Sequence, residues 1–285
     1  WLNGILIPFL KKSCELSDQQ AYYVATAFFA AYFVMALPSS WILQKLGTKK
    51  GMTIGLLVMS VGALVFIPAA EARSYPMFLS GLFVLGTGLA LLQTAANPYV
   101  SVIGPIESAA SRISIMGVCN KFAGIVANLL FGAVLLKNAD AIQEQLSSAT
   151  ISAESKIELL NELSQRVVMP YTVLAIFLAV IAVVIARSSL PDISTKASDT
   201  GDGDTDLSRG RTSIFQFPHA LLGSLAIFTY VGAEVMAGDL ISVYGKNLGF
   251  STDTSKFFTS FGLVGLLAGY GVSILLIPKY VTQEK

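Results

Sequence analysis

Gln93, Asn97, Asn120 and Lys121 are polar or charged, yet each falls inside a long apolar run. Glu234 and Asp239 do the same further along, in Tyr230-Val-Gly-Ala-Glu-Val-Met-Ala-Gly-Asp-Leu240. Such groups are expensive where no water can solvate them, so their presence marks them as candidate site residues. Their chemistry divides in two. An amide both donates and accepts hydrogen bonds, which suits a neutral polar ligand. A carboxylate can take up and release a proton, or offer fixed oxygens to a hard cation such as sodium. Gln93 and Asn97 are four residues apart, so on a helix they share a face. The alternative for these amides is a hydrogen-bonded tie between helices. Lys121 lies about nine residues, roughly 14 Å, into its helix, where it needs a partner. That partner could belong to a transport site or to an ion pair that fixes packing.

Helices must position these groups. The chain of 285 residues is 54% hydrophobic and only 13% charged, with a mean hydropathy of +0.67. Soluble domains carry roughly 25% charged residues. Apolar runs near 20 residues recur along the chain, so the composition implies an all-α polytopic membrane protein. A net charge of +1 gives no electrostatic case for nucleic acid. Cys14 and Cys119 are too few for a disulfide framework, and Cys119 is expected as a packed thiol. No cofactor is expected. Gly86-Thr-Gly88 resembles part of a nucleotide loop, but no strand precedes it, and close helix packing explains it better. Gly262, Gly265 and Gly269 read the same way. There is no His/Asp/Glu cluster or nucleophile–base pair to support an enzyme. His219, the single histidine, sits at a span entrance.

In order, Trp1–Leu10 is too short to cross a membrane, and the chain begins at Trp rather than Met, so the chain is expected to be a fragment that starts near the end of span 1. Span 2 is Ala21–Leu43, with Tyr22, Tyr23 and Trp41 near its ends and Pro38 bending it. Span 3 is Met52–Ala70. Span 4 is Met77–Ile103, broken by Pro98. Span 5 is Arg112–Leu136, and span 6 is Pro170–Ala186. Between those two, residues 137–169 form an amphipathic helix outside the bilayer, with Ile157, Leu159, Leu160 and Leu163 on its apolar side. Residues 187–211 include Asp-Thr-Gly-Asp-Gly-Asp-Thr-Asp and read as a hydrophilic linker. No spaced bidentate Glu follows this run, so it is not a calcium loop. Spans 7 and 8 are Phe217–Val243 and Phe257–Pro278. The domain expectation is a six-helix half over 1–190, a cytoplasmic linker over 191–212, and the start of a second half over 213–285. Six spans, a linker and two spans leave four more to complete a six-plus-six transporter.

Longer stretches carry a family resemblance. The loop Gln-Lys-Leu-Gly-Thr-Lys-Lys-Gly over 44–51 is similar to the loop signature of the major facilitator superfamily, without that signature's acidic residue. Thr-Ala-Ala-Asn-Pro-Tyr-Val-Ser-Val-Ile-Gly-Pro over 94–105, Glu-Ser-Ala-Ala-Ser-Arg-Ile-Ser-Ile over 107–115 and Cys-Asn-Lys-Phe-Ala-Gly over 119–124 resemble its fucose permease and glucose/galactose transporter branch. The likeness covers about 1–136 and resumes at 230–240. It implies the major facilitator fold, here the end of span 1 through span 8 of an expected 12. It also implies a multi-pass protein of the bacterial cytoplasmic membrane that moves a small neutral sugar by alternating access, coupled to H+ or Na+ and acting as a monomer.

The same resemblance assigns residues. Spans 1, 4 and 7 are expected to line the central cavity. Asn120 matches a sugar-contact position, and Asn3 joins Gln93, Asn97 and Asn120 as a binding candidate. Two departures matter. In Leu2-Asn3-Gly4-Ile5-Leu6-Ile7-Pro8, Gly4 stands where proton-coupled relatives have Asp. In Leu92-Gln93-Thr94-Ala95-Ala96-Asn97-Pro98, Gln93 stands where they have a coupling Glu. Neither Gly nor Gln exchanges a proton near pH 7. The expected coupling group is therefore Glu234, with Asp239 second and Lys121 a conceivable partner across the cavity. An uncoupled facilitator or a transporter-like sensor is the alternative.

Overall fold

In the computed structural model, residues 2–105, 108–147, 151–192 and 217–276 are described. They form twelve helices and no strand. These are α1 (Asn3–Ser13), α2 (Asp18–Leu46), α3 (Thr48–Leu64), α4 (Phe66–Glu71), α5 (Tyr75–Val102) and α6 (Ala109–Leu135). There follow α7 (Ala139–Ser147), α8 (Ala153–Gln165), α9 (Val168–Arg187), α10 (Pro218–Asn247), α11 (Thr252–Ser255) and α12 (Phe258–Leu276). Seven stretches are long and apolar enough to cross a membrane. The linker expected at 191–212, its Asp-Gly run and the end of span 8 at Pro278 lie mostly outside the described residues.

Small residues set the close crossings. A Cβ on Gly55 would meet the Gly88 carbonyl, and one on Gly88 would meet the Gly55 carbonyl and Met59. Thus α3 and α5 pack backbone to backbone, as small residues allow in membranes. Gly86 does the same against Phe28 and Ala31 of α2. Hydroxyl groups tie neighbouring helices. Ser60 donates to the Ala175 carbonyl (2.8 Å), joining α3 to α9, and Ser164 donates to that of Ala70 (3.0 Å), joining α8 to α4. Phe66 stacks on Tyr171 with ring centroids 3.9 Å apart, at the centre of the largest buried cluster.

Several expectations need correction. Span 3 holds as one spanning stretch, Thr48–Glu71, but a local break at Val65 divides it into α3 and α4. Pro68 explains it, since its ring clashes with the carbonyl four residues back, at Leu64. Pro98, by contrast, does not break span 4. Helix α5 runs through it to Val102, because an open backbone has no water to turn to at that depth. Residues 137–169 contain two helices, α7 and α8, rather than one; in α8 Leu160 and Leu163 are buried while Ile157 is exposed. Gly262, Gly265 and Gly269 face open space, so they do not mark close packing among the described residues. Cys119 is exposed, not packed.

Candidate functional site

Helix α10 carries the two deep acids. They are five residues apart, which separates them by roughly 7.5 Å along the helix and about 140° around it. Each therefore meets a different neighbour. Glu234 forms an ion pair with Lys121 of α6, and the side chains are only 11% and 7% exposed. Asp239, buried, accepts a hydrogen bond from the Asn3 Nδ2 of α1 at 3.1 Å. Lone charges at this depth would cost several kcal/mol each, and the polar partner in both cases comes from another helix.

Gly4 makes the second contact possible. A Cβ there would strike the Thr259 hydroxyl and the Gly238 carbonyl, so the absent side chain lets α1 lie directly on α10 and α12. Thr259 in turn donates to the Gly238 carbonyl at 2.7 Å. Gly4 is thus a packing contact beside Asp239.

Two tyrosines that composition and motif did not single out complete the Glu234 region. The Lys121 ammonium lies 5.9 Å from the centroid of the Tyr270 ring on α12, a cation–π distance. The Tyr270 and Tyr230 hydroxyls are 3.4 Å apart. Gly117 of α6 faces that same Tyr270 ring. Tyr230 precedes Glu234 by four residues and shares its face of α10, a spacing that could have flagged it.

The amides occupy a different face. Leu91, Ala95 and Tyr99 form the buried seam of α5 with Leu43 and Met52. Gln93 and Asn97 sit two residues past Leu91 and Ala95, and so on the opposite side of the helix. Gln93 is half-buried and Asn97 exposed. Neither makes a hydrogen bond among the described residues, so neither ties helices together there. Asn120 is exposed, next to buried Lys121. The structure thus joins Lys121 to Glu234 and Asn3 to Asp239, and leaves Gln93 and Asn97 presented rather than paired.

A helical bundle with spanning apolar helices, and with its deepest charges met by polar partners, defines a polytopic membrane protein. The chain belongs to the Major Facilitator Superfamily, whose family model matches residues 1–282. That is a family of transporters, not of enzymes. The chain is 37% identical over 240 residues to a glucose/galactose transporter of Brucella abortus, covering 84% of this chain and 53% of that protein. It is 32% identical over 259 residues to the L-fucose-proton symporter of Escherichia coli, covering 88% of this chain and 58% of that one. The chain therefore spans somewhat over half the length of these relatives. Its structure matches that of FucP, a Major Facilitator Superfamily transporter in the outward conformation, with a TM-score of 0.74 at 28% identity, over 98% of this chain and 68% of that one.

Proposed function

We propose that the whole protein carries a small neutral sugar across the cytoplasmic membrane by alternating access. The Lys121–Glu234 pair is the observation that carries this reading, because it links α6 of the expected first half to α10 of the expected second. Residues 1–190 and 213–285 would belong to those halves, joined by the linker at 191–212. Sugar hydroxyls would meet Gln93, Asn97 and Asn120, whose amides offer donors and acceptors together. The relatives named for glucose, galactose and fucose support the substrate class.

Coupling to H+ or Na+ is assigned to Glu234. Protonation of its carboxyl removes the attraction to Lys121 and frees α6 from α10, while a bound cation would compete for the same oxygens. Asp239, held by Asn3, is the second candidate. An uncoupled facilitator is the other reading, favoured by the absence of a carboxylate at Gly4 and Gln93. Sugar uptake by the full-length protein in proteoliposomes, with pH and sodium gradients imposed separately, decides between them. Uptake against a sugar gradient in response to one of the two supports the symporter; indifference to both supports the facilitator.

A further inference from the structure

A cavity of about 660 Å³ lies between the end of α1, the start of α2, α7 and the end of α10, well away in sequence from the amides of α5 and α6. Five lysines line it, namely Lys11, Lys12, Lys156, Lys246 and Lys256, against two carboxylates, Glu15 and Asp18. Three of these lysines are already neutralised. Lys11 pairs with Asp18, Lys156 with Glu15 at 2.6 Å, and Lys256 with Asp253 at 2.7 Å. Two are not. Lys12 is only 8% exposed and donates to the Ala139 carbonyl at 2.7 Å, with no carboxylate in ion-pair range among the described residues. Lys246 is exposed and has no ion-pair partner there either.

The nearby acids Asp140 and Asp253 make their direct bonds to other groups. Asp140 accepts from the backbone N–H groups of Thr252 (3.1 Å) and Asp253 (2.9 Å), and Asp253 holds Lys256. Asp140 and Asp253 attract the Lys12 ammonium from a distance, but burial and the like charges of Lys246 and Lys11 work against them, so its charge is only partly compensated. Walls of low dielectric concentrate that positive potential in the cavity. Gln143, Asn247 and Ser242 line the same space with neutral donors.

We propose that this cavity is an anion site in which Lys12 and Lys246 receive a carboxylate, sulfate or phosphate group, either as a free ion or as the acidic group of a sugar. The full-length protein, purified in detergent and chloride-free buffer, is titrated calorimetrically with sodium sulfate and with sodium glucuronate. Saturable binding of either anion, weakened at least tenfold in Lys246→Gln and retained in Lys246→Arg, is expected. Lys246 is exposed, so these variants keep the fold, whereas Lys12→Met also removes a buried hydrogen bond. Tighter binding of glucuronate than of sulfate assigns the anion to a sugar acid; equal or tighter binding of sulfate assigns it to a free oxyanion. If neither anion binds, or if Lys246→Gln binds both as the unaltered protein does, the proposal is overturned. The measurement requires no transport, so it stands or falls apart from the transport reading.

Discussion

Lys121 of α6 and Glu234 of α10 are 113 residues apart in sequence and form a buried ion pair. A pair of this kind repays its desolvation only while both members are present. Removing one partner typically costs about 3–5 kcal/mol, because the other is left charged and buried, whereas replacing both is far milder. Glu234→Ala and Lys121→Ala are therefore each expected to lower the thermal stability of the detergent-solubilised protein, and the double variant to recover much of the loss. A double variant as unstable as the sum of the two would show that the residues do not act as a pair.

If Glu234 is the coupling group, Glu234→Gln uncouples without abolishing binding. Expected in proteoliposomes are sugar equilibration down a gradient and loss of accumulation against one. Accumulation that survives unchanged would remove Glu234 from the coupling role.

Gln93 and Asn97 make no hydrogen bonds among the described residues, so their truncation has little to destabilise. Gln93→Ala and Asn97→Ala are expected to leave the unfolding temperature nearly unchanged. Loss of one hydrogen bond to a neutral ligand is worth about 0.5–1.5 kcal/mol, or roughly twofold to tenfold in sugar affinity. Stability loss without affinity loss would make these amides structural.

Asn3 and Asp239 behave oppositely. Asn3→Leu strips a buried carboxylate of its donor, and a cost of about 1–3 kcal/mol is expected. Thermal unfolding of the full-length protein measures it, and an unchanged midpoint would mean that Asp239 has another way to satisfy its oxygens.

The spans were legible because hydropathy and helical length are local properties of a sequence. So was the nearness of Lys121 to Glu234, since a cation and a carboxylate within apolar helices need each other. The Asn3–Asp239 bond was not, because nothing near Asn3 records which helix will lie against Gly4. The Tyr230–Tyr270 contact was equally hidden, depending as it does on how α10 and α12 are rotated. Gly262, Gly265 and Gly269 misled for the converse reason: small residues permit close packing without requiring a neighbour. Pro68 and Pro98 show the same limit. Both remove a backbone donor, yet only Pro68 lies at a helix break.

Asp192, five residues past the end of α9, ties down the loop at 44–51. Its carboxylate accepts from the Thr48 hydroxyl (3.0 Å) and from the Lys49 backbone N–H (3.2 Å), so it caps the start of α3. Lys49 completes the tie by donating to the Ser188 carbonyl at 2.6 Å. Burial works to raise the carboxyl pKa, but the bonds from Lys49 and Thr48 outweigh it and hold the group below the usual carboxylate range. A depressed folded-state pKa gives a contribution that is present above the ordinary value of about 3.9 and is lost as pH falls through the folded value. Hydrogen exchange at the first amides of α3 should therefore be slow at neutral pH, corrected for intrinsic rates, and lose protection below about pH 4. Asp192→Ala should show the unprotected rate throughout. Gly47 offers a second handle on the same cap. Its φ of 81° and ψ of 167° are open essentially to glycine alone, and a Cβ there would collide with the Asp192 carboxylate. Gly47→Ala is expected to cost about 1–3 kcal/mol at this end of the bundle, and to expose the same amides even at neutral pH. Protection that survives both substitutions would show that the packing of α3 on α5 and α9, rather than the Asp192 cap, holds the helix start in place.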